Sequence, residues 1–184
     1  VGSTCLLALS IWLTLAFIQA RQAGDTSEML FTYSTPWFRP LNIAYSVGVD
    51  GISVVMLLLS AVIVFTGTFA SWQLKPLTKE YFLWFTLLST GVFGFFICTD
   101  LFTMFMFYEV ALIPMYLLIG VWGSGNKEYA AMKLTLMLMG GSALLIIGIL
   151  GIYFFSGATT MNVNEIAAMH NIAPEVQKVF FPFI

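Results

Sequence analysis

Long apolar runs recur along this sequence, and their length constrains the fold more than any other feature. The approximate ranges are 1–20, 52–72, 81–98, 101–122, 129–155 and 176–184. About 20 consecutive apolar residues cross the hydrocarbon core of a bilayer as one α-helix. The sequence therefore predicts an all-α, polytopic transmembrane helical bundle in one membrane domain, with five complete spans and the start of a sixth.

The composition supports this class and excludes others. The chain is 60% hydrophobic and 9% charged, whereas a soluble domain carries roughly 25% charged residues. A net charge of −2 argues against a nucleic-acid partner, and the lipid bilayer is the expected surrounding. Cys5 and Cys98 lie far apart within apolar runs, so we expect both to be packing residues.

The two ends of the sequence predict a fragment of a larger membrane protein. The chain begins at Val1, which is not a methionine, and it ends at Ile184 inside an apolar run. The stretch from Val1 to Ala20 lacks a basic segment and a small-residue cleavage site. This favours a membrane span over a signal peptide.

Basic residues in the connections predict the orientation of the bundle. Lys75, Lys79 and Lys127 fall on one side by alternation of the spans, and cytoplasmic loops carry an excess of Lys and Arg. We therefore expect these three lysines to face the cytoplasm. Arg21 and Arg39 lie in the long connection on the other side and weaken the pattern.

Polar residues at the ends of the apolar runs predict helix caps or residues at the membrane interface. Asp50 or Ser53 is expected to cap the second run, because short polar side chains cap helices by accepting backbone N–H groups. Asp50 and Asp100 each lie at the end of a span, where a cap or an interface role is expected. Asn162 predicts the cap of a short interfacial helix at about 163–170. The connection 21–46 is rich in aromatic residues and contains prolines, which favours extended structure at the membrane surface.

One acid, Glu109, lies in the interior of an apolar run. At 1.5 Å per residue it lies roughly 12 Å from the start of its span, near the middle of a hydrocarbon core about 30 Å thick. A charged side chain at that depth costs about 2.5–3.5 kcal/mol on insertion scales. Pro114 follows five residues later, and we expect a helix break there because proline donates no backbone hydrogen bond.

Two interpretations of Glu109 stay open at this point. Removal from water favours the neutral carboxyl, whereas a basic partner on another helix favours the ionised form. A group whose charge depends on a movable partner suits proton transfer, so Glu109 is the candidate catalytic residue for proton translocation. The alternative is a neutral acid held by structural hydrogen bonds.

Lys133 also has two interpretations. Its depth differs from that of Glu109 by roughly 12 Å at 1.5 Å per residue, so we expect no direct pair. Its side chain is expected either to extend to the membrane surface or to belong to a proton path that reaches Glu109 through water. Gly140 and Gly141 predict close helix packing or, alternatively, a hinge.

Other chemistry is not indicated by the sequence. It contains no Gly-rich phosphate loop, no CxxC pair and no His-Glu metal spacing. We therefore expect no cofactor-binding or metal site in this chain. His170, in a polar connection, is expected to be solvated or to act as a local cap.

Four stretches resemble a known family. They are Val47-Gly48-Val49-Asp50-Gly51-Ile52-Ser53, Phe107-Tyr108-Glu109-Val110-Ala111-Leu112-Ile113-Pro114-Met115-Tyr116, Trp122-Gly123 and Ala130-Ala131-Met132-Lys133. Together they resemble the antiporter-like membrane subunit M of respiratory complex I (NADH:quinone oxidoreductase), which is the subunit 4 type. The resemblance extends over residues 41–155.

The resemblance implies a part of a larger antiporter-like fold. In that family the glutamate that Glu109 matches forms a charge pair with a lysine on a later helix, which would lie outside this chain. Quinone reduction elsewhere in the complex is coupled to proton movement through this pair. NADH, FMN, iron–sulfur clusters and quinone bind other subunits. The partners of this chain would be the other membrane subunits of complex I, in a bacterial inner membrane.

Three alternatives stay open from the sequence. The chain resembles, less closely, a subunit of a multisubunit Na+/H+ antiporter, which has no redox partner. A membrane subunit of a related hydrogenase is a second alternative. The third is a structural membrane scaffold, in which Glu109 is buried without a role in transport.

Overall fold

Five long helices and one β-hairpin make up most of this computed structural model. The structure describes residues 2–24, 27, 29–38, 43–72, 77–155, 161–168, 175, 178 and 179. In chain order the elements are α1 (Gly2–Gln22), β1 (Leu30–Phe38), β2 (Ile43–Val49), α2 (Gly51–Ala70), α3 (Thr78–Ile97), α4 (Leu101–Trp122), α5 (Lys127–Phe155) and α6 (Val163–Ala168). Helices α1 to α5 are each long and apolar enough to cross a membrane.

The predicted helical bundle is confirmed. The helix ends differ from the predicted span ends by no more than three residues, the largest difference being at Thr78 of α3. The predicted cap at Asn162 is confirmed, since its Oδ1 accepts a hydrogen bond from the Asn164 amide at 3.0 Å. His170, Lys75, Arg39 and most of the predicted sixth span, 176–184, lie outside the described residues.

The extended structure predicted before α2 is an antiparallel β-hairpin. Strands β1 and β2 pair with Ser34 opposite Ser46, and the two hydroxyl oxygens are 2.9 Å apart. The register shifts near Pro36, which is consistent with proline having no backbone donor for the ladder. The side chains of β1 after Leu30 are exposed, so the described residues leave both faces of this strand uncovered beyond its start.

The described helices pack against their neighbours in sequence, from α1 to α5. The main apolar cluster lies where the end of α1, the start of α2 and the hairpin meet. It contains Phe17, Leu30, Val49, Val54 and Leu57, with Phe93, Phe96 and Ile97 of α3 packed against it. Large apolar side chains elsewhere on the helices are exposed, such as Trp12 at 66% and Ile113 at 62%. Lipid or further helices are the natural cover for such surfaces.

Three segments that are distant in sequence meet at the hairpin end of the bundle. We call this region the hairpin junction, and it consists of residues 44–47, 98–103 and 161–163. The Thr99 amide donates to the Ser46 carbonyl at 3.0 Å, the Leu101 amide to the Met161 carbonyl at 3.0 Å, and the Val163 amide to the Thr99 carbonyl at 2.9 Å. The connections before α2, before α4 and before α6 therefore lie on the same side, as the alternation of spans predicts.

Two aspartates cap the helices that start at this end, as predicted. Asp50 accepts a hydrogen bond from the Ser53 amide at 2.6 Å. Asp100 accepts from the Phe102 and Thr103 amides, each at 3.1 Å. Burial raises the pKa of Asp100 by more than its hydrogen bonds lower it. Burial also acts to raise the pKa of Asp50, but hydrogen bonds from Ser53, together with those of the Asp50 and Ile52 backbone, outweigh it, so the pKa of Asp50 is lowered.

Small residues of α3 set the distance between α3 and α4. A Cβ added at Gly91 would lie 2.9 Å from the Ala111 Cβ and 3.2 Å from the Ala111 backbone. A Cβ at Gly94 would collide with the ring of Phe107. Among the described residues, close helix packing therefore occurs at these glycines, whereas a Cβ added at the predicted Gly140 would meet none of them within 4 Å.

The helix break predicted at Pro114 was wrong. Helix α4 continues through Pro114 to Trp122, and the Pro114 side chain is less than 2% exposed. Proline removes one backbone donor, but neighbouring helices and local adjustments can compensate for this loss in a membrane helix. The close packing around the fully buried Pro114 ring is consistent with the helix continuing through this residue.

The packing of α3 on α4 predicts the effect of one substitution. We expect Gly91→Val to lower the free energy of unfolding by about 1–3 kcal/mol, because overpacking against backbone forces the two helices apart. Gly140→Val is the matched control, since it makes the same change in α5 in open space. Thermal unfolding in detergent measures both variants, and equal losses would contradict the role given to Gly91.

The two capping aspartates predict opposite pH dependences of stability. Because the pKa of Asp100 is raised in the folded chain, its contribution is fully present below the ordinary aspartate pKa of about 3.9 and is lost as pH rises through the raised value. Because the pKa of Asp50 is lowered, its contribution is present above about 3.9 and is lost as pH falls through the lowered value.

The corresponding asparagine variants test this difference by thermal unfolding across pH. Asn also caps helices but does not titrate. In Asp100→Asn, the part of the loss of stability at rising pH that comes from Asp100 should therefore be absent. In Asp50→Asn, the part of the loss of stability at falling pH that comes from Asp50 should be absent. Changes of the same sign in the two variants would contradict the assignment.

Candidate functional site

Glu109 lies in the middle of α4, and its side chain is half-buried. Its Oε1 atom is buried and accepts no hydrogen bond from any residue that the structure describes. A buried acceptor without a partner costs about 1–3 kcal/mol, and more if the group is charged. This observation disfavours the interpretation of Glu109 as a structural acid held by hydrogen bonds within this chain.

The packing of α4 on α3 determines which way Glu109 faces. Phe107 and Ala111, two residues before and two after it, lie against Gly94 and Gly91 of α3. Residues two apart on a helix point to roughly opposite sides, at 100° per residue. Glu109 is therefore directed away from α3.

One edge of the side of α4 that carries Glu109 is left open by the described part of the chain. Residues three, four and seven apart share a helix face. On the open edge, Met106 and Ile113 are 38% and 62% exposed, and Tyr116 one turn further is 41% exposed. On the other edge, Phe105 is half-buried and Leu112 is buried. An acid beside an uncovered apolar edge is positioned to meet a group from another helix.

Neither described lysine near this region forms an ion pair with Glu109. Lys127 donates to the Val121 carbonyl at 2.7 Å, so it caps the end of α4. The Nζ atom of Lys133 lies 5.9 Å from the centre of the Tyr129 ring, and the residue is exposed. Because Tyr129 lies one turn closer to the start of α5, this geometry directs the Lys133 ammonium toward the membrane surface.

The site therefore consists of one carboxyl group within a membrane span. No group of three or more His, Cys, Asp or Glu residues that could hold a metal occurs within the described ranges. A lone intramembrane carboxyl can bind and release a proton, and a movable cation nearby would change the balance between these states. Proton transfer is the chemistry that this arrangement can perform.

Sequence reasoning missed the residues that orient the site. Gly91 and Gly94 set the rotation of α4, and their spacing of three on one helix face was an available signal. The Thr103 hydroxyl contacts the Asp100 Oδ1 at 3.3 Å and the Ala44 carbonyl at 3.4 Å. The Ala44 contact joins residues 59 positions apart, and nothing in the sequence pattern indicates it.

Comparison with known proteins places the chain in a family. Residues 98–184 match the family described as NADH:quinone oxidoreductase/Mrp antiporter, transmembrane. The chain is 34% identical over 131 residues to NADH-quinone oxidoreductase subunit M of Rhodobacter capsulatus, covering 71% of this chain and 25% of that protein. It is 31% identical over 130 residues to NAD(P)H-quinone oxidoreductase chain 4-2 of Synechocystis, covering 71% of this chain and 23% of that protein.

The fold also matches a solved structure. Respiratory complex I from Thermus thermophilus contains a chain that superposes with a TM-score of 0.85 at 22% identity, covering 99% of this chain and 36% of that one. Our chain thus spans about a quarter of the length of the two relatives above. The sequence matches and the common fold agree with the resemblance carried by the Glu109 segment, and the chain belongs to the antiporter-like membrane subunits of the NADH:quinone oxidoreductase/Mrp antiporter family, of the subunit M or chain 4 type.

Proposed function

We propose that this chain is part of a proton-translocating membrane subunit of NADH:quinone oxidoreductase, in which Glu109 takes up and releases a proton. The observation that carries this proposal is the buried Oε1 of Glu109, which has no hydrogen-bond partner within the described part of the chain. An intramembrane carboxyl without a structural partner is a functional group by default. Its family membership supplies the reaction to which the proton movement is coupled.

The exposed edge of α4 beside Glu109 supports a partner on another helix. We propose that this partner is a lysine outside this chain, which approaches the face formed by Met106, Ile113 and Tyr116. A cation close to the carboxyl favours its ionised form, and withdrawal of the cation favours proton uptake. Movement of one lysine thereby converts a conformational change into the binding or release of a proton.

Electron transfer belongs to other subunits in this proposal. NADH, FMN, iron–sulfur clusters and quinone would bind elsewhere in the complex, and the other membrane subunits would cover the exposed apolar surfaces of this chain. The multi-pass chain would lie in a bacterial inner membrane with Lys79 and Lys127 toward the cytoplasm. The hairpin junction would then face the opposite side.

A second candidate is a subunit of a multisubunit Na+/H+ antiporter. The matched family description includes the Mrp antiporters, and the same carboxyl would serve either reaction. The two relatives described above are named as quinone oxidoreductase subunits, which favours the first candidate. Co-purification with NADH:quinone reductase activity in mild detergent separates the two, because an antiporter subunit would purify without redox partners.

Glu109→Gln tests the proposed role of the carboxyl. We expect proton translocation in reconstituted vesicles to fall by about tenfold or more, because an amide cannot exchange a proton and proton-transfer groups typically contribute about 10²–10⁴-fold. The amount of assembled complex should stay unchanged, since Gln keeps the size of the side chain. The measurement is the rate of proton uptake per assembled complex.

Glu128→Gln is the matched control for this experiment. Glu128 is exposed in the first turn of α5, so the same chemical change at the membrane surface should leave the rate within about twofold, since surface substitutions are usually nearly neutral. An unchanged rate in Glu109→Gln would contradict the proposal and would favour a structural scaffold.

Lys133→Arg distinguishes the two interpretations of Lys133. We propose that Lys133 is a membrane-surface anchor, as its position beside the Tyr129 ring supports. Arg also extends to the surface but stays protonated at all pH values of the assay. We therefore expect Lys133→Arg to retain the translocation rate, measured as above. A rate as low as that of Lys133→Met would instead assign Lys133 to the proton path.

A further inference from the structure

Asp100 differs from an ordinary helix cap in its burial. The side chain is 1% exposed, and its Oδ1 accepts from the Phe102 amide, the Thr103 amide and the Thr103 hydroxyl at 3.1–3.3 Å. Its Oδ2 is buried without a hydrogen-bond partner among the described residues. Most caps lie at the surface, where water completes their hydrogen bonds. Asp100 is instead enclosed by the hairpin junction.

The start of α4 is attached to two other parts of the chain on either side of Asp100. The Thr99 amide donates to the Ser46 carbonyl of β2, and the Leu101 amide donates to the Met161 carbonyl before α6. The Val163 amide donates to the Thr99 carbonyl at 2.9 Å. The Thr103 hydroxyl, whose single proton is shared with the Asp100 Oδ1, also lies 3.4 Å from the Ala44 carbonyl. These four contacts with two separate segments restrict both translation of α4 along its axis and rotation about it.

Asp50 provides an internal comparison because it caps α2 at the same end of the bundle. Its carboxylate accepts from the Ser53 amide, and the Val54 amide donates to its carbonyl. Both bonds lie within the first turn of its own helix, and the residue is only half-buried. The two caps therefore differ in their attachment to the rest of the chain and not in the local geometry of the helix start.

From these contacts we propose that Asp100 is a positioning residue for Glu109. It organises the first turn of α4 so that Thr99, Leu101 and Thr103 meet the hairpin and the segment before α6. Glu109 follows nine residues later, about 14 Å along the same helix, and a helix transmits a shift of its first turn along its length. The inference rests on the proposed proton-transfer role of Glu109, whose position must match that of its partner.

Two titratable groups near the start of α4 are neutral at pH 7. Cys98 at the end of α3 interacts electrostatically with Asp100, and burial, with the Asp100 charge as a further cause, raises the pKa of Cys98 to about 11. Burial and then Cys98 raise the pKa of Tyr45 in β2 above its usual value of 10.0. The contacts of the Asp100 side chain that the structure describes are hydrogen bonds.

The test compares Asp100→Ala, Asp100→Asn and Asp50→Ala in the assembled complex that contains this chain. We expect Asp100→Ala to lower proton translocation per assembled complex by about tenfold or more, since a displacement near 1 Å can cost about 100-fold. Asp100→Asn should restore the rate to within about twofold, because Asn keeps the acceptor oxygen of the cap. Asp50→Ala should also stay within about twofold, although it removes a cap of the same kind.

A second variant keeps the test decisive if Asp100→Ala fails to assemble. Thr103→Val keeps the backbone cap and the side-chain shape but removes the hydroxyl contacts to the Ala44 carbonyl and to the Asp100 Oδ1. We expect it to assemble and to lower the translocation rate severalfold, and an unchanged rate would contradict the positioning role. Equal rates in Asp100→Ala and Asp50→Ala would reduce Asp100 to an ordinary cap, and failure of Asp100→Asn to restore the rate would also overturn the inference.

Glu109→Gln separates this inference from the proposed function. If Glu109→Gln leaves translocation unchanged, the proposed function fails, and the positioning role fails with it. If Glu109→Gln abolishes translocation while Asp100→Ala leaves it unchanged, only the positioning role is wrong.

Discussion

The absence of water in the bilayer is the constraint on which this structure depends. A segment in hydrocarbon must satisfy its backbone hydrogen bonds internally, so the apolar runs become helices. Backbone that is not helical must lie at the membrane surface or within protein. The β-hairpin and the turn between α3 and α4 meet this requirement together, because their free amides and carbonyls bond to one another in the hairpin junction.

The same constraint makes the Glu109 carboxyl stand out among the side chains of the spans. Side chains within the spans are mostly apolar, and most hydroxyl groups in the helices donate to a carbonyl of their own helix, as Thr66 does to Val62 and Ser89 to Phe85. Glu109 is the acid in the interior of α4, and its Oε1 has no hydrogen-bond partner within the described residues. The unsatisfied oxygen of Glu109 and the exposed helix edge beside it are consistent with a partner that arrives from another helix.

Membrane helices associate without a hydrophobic driving force between them, so close packing depends on small residues. Gly91 and Gly94 bring α3 against α4 at positions that lie opposite Glu109 on the helix. The hairpin junction fixes the start of α4 through the bonds of Thr99 and Leu101. Rotation and height of the Glu109 helix are thus set by two independent sets of contacts, neither of which includes Glu109.

The sequence by itself determined the span helices, their order and the polar positions at their ends, and it indicated Glu109 as the candidate residue, because these follow from local polarity and apolar length. Only the tertiary structure decided that α4 stays helical through Pro114, that the connection before α2 is a paired hairpin, and that close packing occurs at Gly91 rather than Gly140. These outcomes depend on contacts between residues distant in sequence. Apolar periodicity carries little information about them, because lipid-facing and helix-facing positions of a membrane span are equally apolar.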